Sequence, residues 1–330
     1  MKYAKDTRPK GVSHKAAEVL VEALPWIKNI TGKTVVIKYG GSAMVDEQLR
    51  ADVMNDIVLL KIVGVNPVIV HGGGKAITEA MEFVNLPVEF KDGQRVTTPE
   101  AMDLVRTVLM GKVNQELVEA LNEHGNFAVG VSGADAGVIV AEQASPDLGR
   151  VGRITRINRP LLDDLVNADY IPVVASVALG EDGGFYNVNA DMVAGHIAAA
   201  IGAHKVVFLT DVDGLYENFE DKSTLISNLT LFEAQYLIEN DVVSTGMIPK
   251  LKSCVTALDA GVFRAHILNG TTPHSLLLEL LTSTGVGTTM HSTEEACKFD
   301  AHPLGNFASK LLENREQAAA QAAAAERFVG

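Results

Sequence analysis

The chain has 330 residues, 47% of them hydrophobic, with formal net charge −13, a pI near 5.1 and two cysteines, Cys254 and Cys297. That length suits one large domain or two lobes of roughly 150 residues each. The acidic balance excludes a protein that coats nucleic acid, because backbone-phosphate binding needs a basic face, and two cysteines exclude a disulfide scaffold.

No segment has the apolar length to cross a membrane, or the uninterrupted apolar core of a signal peptide, so the protein is expected to be soluble and cytoplasmic. Residues 1 to 13 read as a disordered lead. "SHKAAEVLVEALPWIKNI" then sets Ala16, Val19, Leu20, Ala23 and Leu24 at helical spacing behind a capping Ser13, and Pro25 is expected to kink or end the helix. This helix precedes any strand, so it either binds a partner or packs on its own domain.

After it, strands and helices alternate. "TVVIK" and "PVIV" are apolar runs without polar alternation, as in parallel strands buried on both faces. Between them "DEQLRADVMNDIVLLKIVG" has helical periodicity and an acidic start, so residues 34–70 read as a βαβ unit. "FAVGV", "IPVVAS", "KVVFLT" and "FRAHIL" are further strands, separated by helices over 99–123, 190–201, 231–239 and 247–260. "VEFKDGQRV", turning at Asp92-Gly93, and "GVIVAEQ…VGRITRIN" read as inserted hairpins. The Ala-rich end "REQAAAQAAAAERFVG" reads as a frayed helix or tail outside the core. The pattern is α/β, with helices on both faces of a mainly parallel sheet.

Ligands of open α/β sheets gather beyond the carboxyl ends of the strands. Three strands end there in polar or glycine-rich sequence: Lys38-Tyr39-Gly40-Gly41, "HGGGK" from His71 to Lys75, and Thr210-Asp211. Glycines let backbone N–H groups approach phosphate oxygens, and a helix starting near Lys75 adds its positive dipole end. One such loop alone reads as a tight turn; two on adjacent strands make an anion site. "GKT" at 32–34 does not end a Walker loop, because Ile27 stands at the required earlier glycine and a strand follows. "GVG" at 285–287 is no dinucleotide fingerprint, since Met290 occupies the last glycine position, and no Cys/His set has zinc spacing.

In "NVNAD", Asp191 lies at the start of a helix, where an acid suits the dipole, whereas Lys250 in "STGMIPK" opens the helix over 247–260 against it. A lysine so placed, taken alone, is either a solvated side chain or the partner of an anionic ligand. Phosphoryl transfer accounts for the set, because it asks mainly for positioning and positive neutralisation. Lys38 and Lys250 would hold the phosphoryl group between them, and Asp191 would fix both ammonium groups rather than act as a base. An acid substrate, already ionised at neutral pH, needs no base.

"VVIKYGGSAM", "VIVHGGGK", "DGQRVT", "NVNAD", "LTDVDGL" and "STGMIPK" together resemble the amino acid kinase family over nearly all of residues 31–290. The resemblance implies an open αβα sandwich with a central, mainly parallel sheet, plus the extra N-terminal helix. It divides the chain into a tail and oligomerisation helix (1–30), an N-terminal lobe binding the acid (31–203), a C-terminal lobe binding ATP (204–300) and a C-terminal tail (301–330). The implied activity is ATP-dependent phosphorylation of the side-chain carboxylate of N-acetyl-L-glutamate in arginine biosynthesis, with Mg2+ arriving on ATP.

Carried onto these residues, the resemblance implies that Lys38 and Lys250 stabilise the transferring group and Asp191 orients them. Gly41, Gly73 and Gly74 would offer backbone around phosphate and substrate, Arg95 would pair with the α-carboxylate, and Asn187 would hydrogen-bond the same substrate. Thr210, Asp211, Val212, Gly214, Leu215 and Tyr216, with Gly246 and Met247, would line the nucleotide pocket. Members inhibited by L-arginine share the extra helix, through which dimers link into a hexameric ring, and the pattern "HSLLLELLTSTGVGTTM". That implies a homohexamer, a trimer of dimers, with arginine held by Trp26, Lys205, His274, Glu279 and Gly287; Trp26 stands where a tyrosine is expected. Two other readings stay open. A kinase of another small acid would also satisfy Arg95. A non-catalytic arginine sensor would keep the fold, although it needs none of Lys38, Asp191 and Lys250.

Overall fold

The structure, a computed structural model, describes residues 10–44, 46–240, 242–244, 246–282 and 285–292. The expectations for residues 1–9 and for the Ala-rich tail lie outside them. Helix α1 (Lys10–Ile30) starts before Ser13 and runs through Pro25, so Ser13 is not its cap and Pro25 does not end it. The proline removes the donor to the Val21 carbonyl and its ring crowds that oxygen, while Trp26, Ile27 and Ile30 pack the last turns onto the core.

The βαβ unit forms as expected from β1 (Thr34–Tyr39), α2 (Glu47–Ile62) and β2 (Asn66–His71). Asp46 caps α2 by accepting the Leu49 N–H at 2.9 Å. Helix α3 (Gly74–Phe83) leads to the hairpin β3 (Phe90–Lys91) and β4 (Gln94–Arg95). Asp92 and Gly93 turn it, both at positive φ (50° and 74°), which matches the twist of the paired strands. Residues 99–123 are not one α-helix: α4 (Pro99–Val108) and α5 (Gln115–Asn122) are joined by a π-helical segment, Leu109–Asn114. Such a segment inserts one extra residue, which apolar periodicity over a long window averages away.

There follow β5 (Ala128–Ser132), β6 (Ile139–Gln143), β7 (Gly152–Ile157), α6 (Pro160–Asn167), β8 (Ile171–Ala175), β9 (Val177–Gly180), β10 (Phe185–Asn187) and α7 (Ala190–Ile201). The chain continues with β11 (Lys205–Thr210), β12 (Asn228–Thr230), α8 (Leu231–Glu239), α9 (Ile248–Asp259), β13 (Arg264–Asn269), α10 (Ser275–Leu281) and β14 (Thr288–His291). Strands β9, β10, β12 and β14 hold three or four residues each, too few for a period of two to show in the sequence.

The central sheet has eight strands in the order β12-β14-β13-β11-β1-β2-β8-β5. Every neighbouring pair is parallel except β13 with β14. A second sheet, β10-β9-β6-β7, carries the antiparallel β6–β7 hairpin. Among the described residues, no helix is long and apolar enough to cross a membrane.

Strand parity decides which layer each residue enters. Val35, Ile37 and Tyr39 of β1 join the core layer to which α2, α3, α4, α5 and α10 contribute; Val36 joins the layer to which α6, α7, α8 and α9 contribute. Lys38 shares the parity of Val36 and therefore emerges on the α7–α9 side. On β2, Val68 and Val70 enter the α6–α9 layer, and His71, in step with Ile69, turns to the other.

Candidate functional site

Asp191 is the second residue of α7. The Asn189 side chain caps this helix, accepting the N–H groups of Asp191 and Met192 at 2.8 and 3.2 Å, and so fixes the first turn. Lys38 Nζ lies 3.0 Å from Asp191 Oδ1, and Lys250 Nζ, from the first turn of α9, lies 3.0 Å from Oδ2. The three side chains are between 7% and 15% exposed, which makes this a largely desolvated cation–anion–cation bridge. Burial alone would raise the Asp191 carboxyl. The two ammonium groups outweigh it and hold the group below the usual carboxylate range, so Asp191 is an ionised bridge and a poor base.

The glycines after β1 have separate reasons. A Cβ on Gly40 would meet Lys38 Nζ at 2.6 Å, so the lysine folds back over bare backbone. Gly41 has φ +74°, and a Cβ there would lie 2.3 Å from Asp211 Oδ1. After β2, a Cβ on Gly73 would lie 2.7 Å from a Leu109 methyl group, whereas Gly74 faces open space. Gly73 stands at the N-cap of α3 and offers no side-chain acceptor, which leaves the N–H groups of the first turn for a ligand.

These elements border a cleft of about 880 Å³ at the carboxyl edge of the sheet, lined by Lys38, Gly40, Gly41, Gly73, Gly74, Arg95, Asn187, Asp191 and Asp211. Arg50, Lys112, Glu116 and Ser176 line it too, and the sequence reading singled out none of them. Arg95 is buried, and its partners are neutral: the Gly74 carbonyl (2.9 Å), the Thr78 hydroxyl (2.6 Å), the Met81 sulfur and the Phe90 ring. A buried guanidinium held by neutral groups beside a cleft suits an incoming carboxylate. Asn187 donates to the Thr97 hydroxyl at 3.3 Å on the same wall.

Of the nucleotide-pocket residues expected from the sequence, Asp211 lines this cleft. Thr210 ends β11 and is buried, and Val212 follows Asp211 in the loop beyond that strand. A Cβ on Gly214 would lie 2.3 Å from Thr288 Oγ1. Leu215 belongs to the core, and its N–H donates to Thr288 Oγ1 at 2.8 Å. Tyr216 donates its hydroxyl to Asp213. Met247 is the N-cap residue of α9, and Gly246 before it faces open space.

The residues expected to hold arginine lie elsewhere. Lys205 is buried at the first residue of β11, the opposite end of that strand from Thr210. Trp26 is half-buried on the core. His274, at φ +57° before α10, places Nδ1 2.7 Å from Asp56 Oδ1 on α2. Glu279 is buried; Oε1 meets His266 Nδ1 and the Thr289 hydroxyl at 2.8 Å each, and Oε2 accepts the Val286 and Gly287 N–H groups at 2.7 and 3.3 Å. An incoming guanidinium has to compete with these internal donors. Gly287 packs against backbone, where a Cβ would lie 2.2 Å from the Ile267 carbonyl oxygen. Asp56 and His266 escaped the sequence reading; an acid abutting the apolar run "IVLL" was the available signal for Asp56.

The sequence profile of the amino acid kinase family matches residues 33–269. The acetylglutamate kinase of Caldanaerobacter subterraneus subsp. tengcongensis is 50% identical over 274 residues, covering 82% of this chain and 92% of that protein. The acetylglutamate kinase of Corynebacterium glutamicum (strain R) is 48% identical over 279 residues, covering 82% and 87%. Among solved structures, N-acetylglutamate synthase from Neisseria gonorrhoeae, complexed with coenzyme A and N-acetyl-glutamate, matches with TM-score 0.73 at 25% identity. That match covers 83% of this chain, which spans 63% of the synthase. Carbamate kinase from Giardia lamblia, at TM-score 0.60 and 14% identity over 79% of this chain and 99% of that one, shares the fold.

Proposed function

The chain belongs to the amino acid kinase family, and from that premise we propose that it transfers the γ-phosphoryl group of ATP to the side-chain carboxylate of N-acetyl-L-glutamate in arginine biosynthesis. The observation that carries this reading is the Lys38–Asp191–Lys250 bridge beside a cleft that also presents Arg95. Negative charge spread over a transferring phosphoryl group is met by two ammonium groups whose positions one carboxylate holds in advance, so little reorganisation accompanies the transfer. First-turn N–H groups at Gly73 and Gly74, with Gly41, cradle phosphate and substrate oxygens. Arg95 takes the α-carboxylate, Asn187 hydrogen-bonds the substrate, and no general base is required because the attacking carboxylate is already ionised.

ATP lies toward the lobe 204–300, over Thr210 to Tyr216 and against Gly246 and Met247, while the acid lies in the lobe 31–203. Mg2+ would arrive with ATP and would supply charge neutralisation at its phosphates, since among the described residues no cluster of three or more His, Cys, Asp or Glu side chains could hold it. The enzyme works in the cytoplasm as a hexamer, a trimer of dimers joined through α1. Support for that assembly is the apolar surface α1 presents: Val19, Leu20 and Leu24 are each more than half exposed. L-Arginine, bound by Trp26, Lys205, His274, Glu279 and Gly287, favours a ring in which the lobes stand further apart, so that the two lysines cannot close on one group. The contact of α1 with α10, which His274 precedes, supports a path between helix and effector.

An ADP-release assay with N-acetylglutamate, glutamate and aspartate, each with and without arginine, tests the reading. Turnover confined to N-acetylglutamate, with a sigmoidal loss on adding arginine, is expected. Turnover on another acid would reassign the substrate, and arginine binding without turnover on any acid would make the protein a sensor.

A further inference from the structure

His71 ends β2 and begins the run His71-Gly72-Gly73-Gly74. Its imidazole is fully buried on the face of the sheet away from Lys38. Nδ1 lies 2.9 Å from the Gly72 carbonyl oxygen, and Nε2 lies 2.9 Å from Nδ2 of Asn114. The same Asn114 nitrogen donates to the Val173 carbonyl on β8 at 2.8 Å, which fixes the orientation of the amide. An amide nitrogen only donates, so Nε2 accepts and Nδ1 carries the proton given to Gly72. The ring is therefore neutral and held in one tautomer, in keeping with burial that pushes its pKa down to about 4.

Asn114 reaches this position as the last residue of the π-helical segment Leu109–Asn114. Gly130 on β5 makes the room, since a Cβ there would lie 2.1 Å from Asn114 Oδ1. The segment meets the glycine loop a second time: a Cβ on Gly73 would lie 2.7 Å from Leu109 Cδ2 and 3.2 Å from Val113 Cγ2. Without the extra residue of the π turn, everything after it would rotate by about a quarter turn and Asn114 would leave His71.

We propose that His71 and Asn114 are positioning residues for the phosphoryl-binding glycine loop, set in place by the π-helical segment. The inference rests on the kinase reading above. In a trans peptide the N–H of one residue points opposite the C=O of the residue before it. Holding the Gly72 carbonyl against His71, on the buried side, turns the Gly73 N–H the other way, toward the cleft that Gly72 and Gly73 line. The donor that meets a phosphate oxygen is thus aimed before the substrate arrives.

The test compares wild type with His71→Ala, His71→Asn and Asn114→Ala, by steady-state kinetics and by 1H–15N spectra of 15N-glycine-labelled protein with and without MgADP, aluminium fluoride and N-acetylglutamate. His71→Ala and Asn114→Ala should lower kcat about 10- to 100-fold, with the KM for N-acetylglutamate within about twofold, as is usual when a group that orients a binding group is lost. His71→Asn should recover much of that kcat, because its amide N–H replaces Nδ1–H. The Gly73 amide resonance should shift in free His71→Ala and lose its response to the fluoride complex. A kcat unchanged in folded His71→Ala would overturn the proposal. So would a Gly73 resonance unmoved by that substitution, whatever the turnover. Wild-type protein without turnover on N-acetylglutamate would instead sink the kinase reading, with the free-enzyme spectra still judging the clamp.

Discussion

Gly195 on α7 faces the backbone of Ser253 on α9 with no room for a side chain: a Cβ at Gly195 would lie 2.6 Å from the Ser253 carbonyl oxygen. The two helices that cross there are the ones whose first turns carry Asp191 and Lys250. One turn of rigid helix separates the crossing from the ion pair, so helix packing sets the 3.0 Å contact. Gly195→Ala should push the helices apart, costing about 1–3 kcal/mol of stability as overpacking does. The same displacement should lower kcat at least about tenfold, since small misplacements of catalytic groups are costly. Thermal melts and initial rates on the variant check both; a full kcat would detach the helix crossing from the chemistry.

Asp191→Asn leaves two buried ammonium groups without their shared counter-ion. A fall in kcat on the order of 10²–10³ is expected, the size seen when one preorganised electrostatic contact is removed. A pH effect follows as well. The folded-state pKa of Asp191 is depressed, so its stabilisation is present above the unfolded value near 3.8 and is lost as pH falls through the lower folded value. Denaturant midpoints measured from pH 5 down to pH 2 should therefore decline more steeply in wild type than in Asp191→Asn.

Arg95→Lys keeps the charge but loses the planar fork. The KM for N-acetylglutamate should rise about 10- to 100-fold, as a charge-assisted contact contributes about 1.5–3 kcal/mol, while kcat stays within a few-fold. Substrate titration of the variant measures this, and an unchanged KM would remove Arg95 from the substrate contacts.

Asp56 has the opposite sign from Asp191. Burial pushes its carboxyl up from 3.8 to about 6, beyond what the His274 hydrogen bond and charge recover, and Asp52 adds to the rise. The folded state then holds the proton that the unfolded state releases, so stability falls as pH rises from about 4 to about 6. The raised pKa of His274, due to its hydrogen bond with Asp56 and then to charge, acts in the same sense at higher pH: its contribution is full below 6.5 and is lost as pH rises through the folded value. Asp56→Asn should flatten the decline between pH 4 and 6, as read from urea midpoints.

Deleting residues 1–28 removes the exposed Val19, Leu20 and Leu24 of α1. The truncated protein should retain turnover and lose both the hexamer and the response to arginine. A truncated protein that still scatters light as a hexamer would show that α1 does not build the ring.

The sequence by itself determined the βαβ repetition and the two glycine loops and drew attention to Lys38, Asp191 and Lys250 at strand and helix ends, while Arg95 was named by the family resemblance. The repetition and the loops are legible because strands buried on both faces demand unbroken apolar runs, and because close backbone approach admits only glycine. Only the tertiary structure decided which face of the sheet each residue serves and which distant residues meet. Lys38 reaches Asp191 because strand parity turns it toward α7 and α9, and Lys250 joins it across 59 positions because Gly195 lets those helices touch. His71 with Asn114, 43 positions apart, and Asp56 with His274, 218 apart, left no mark in local periodicity. Periodicity records only whether a side chain is buried; its partner is chosen by where the chain crosses itself.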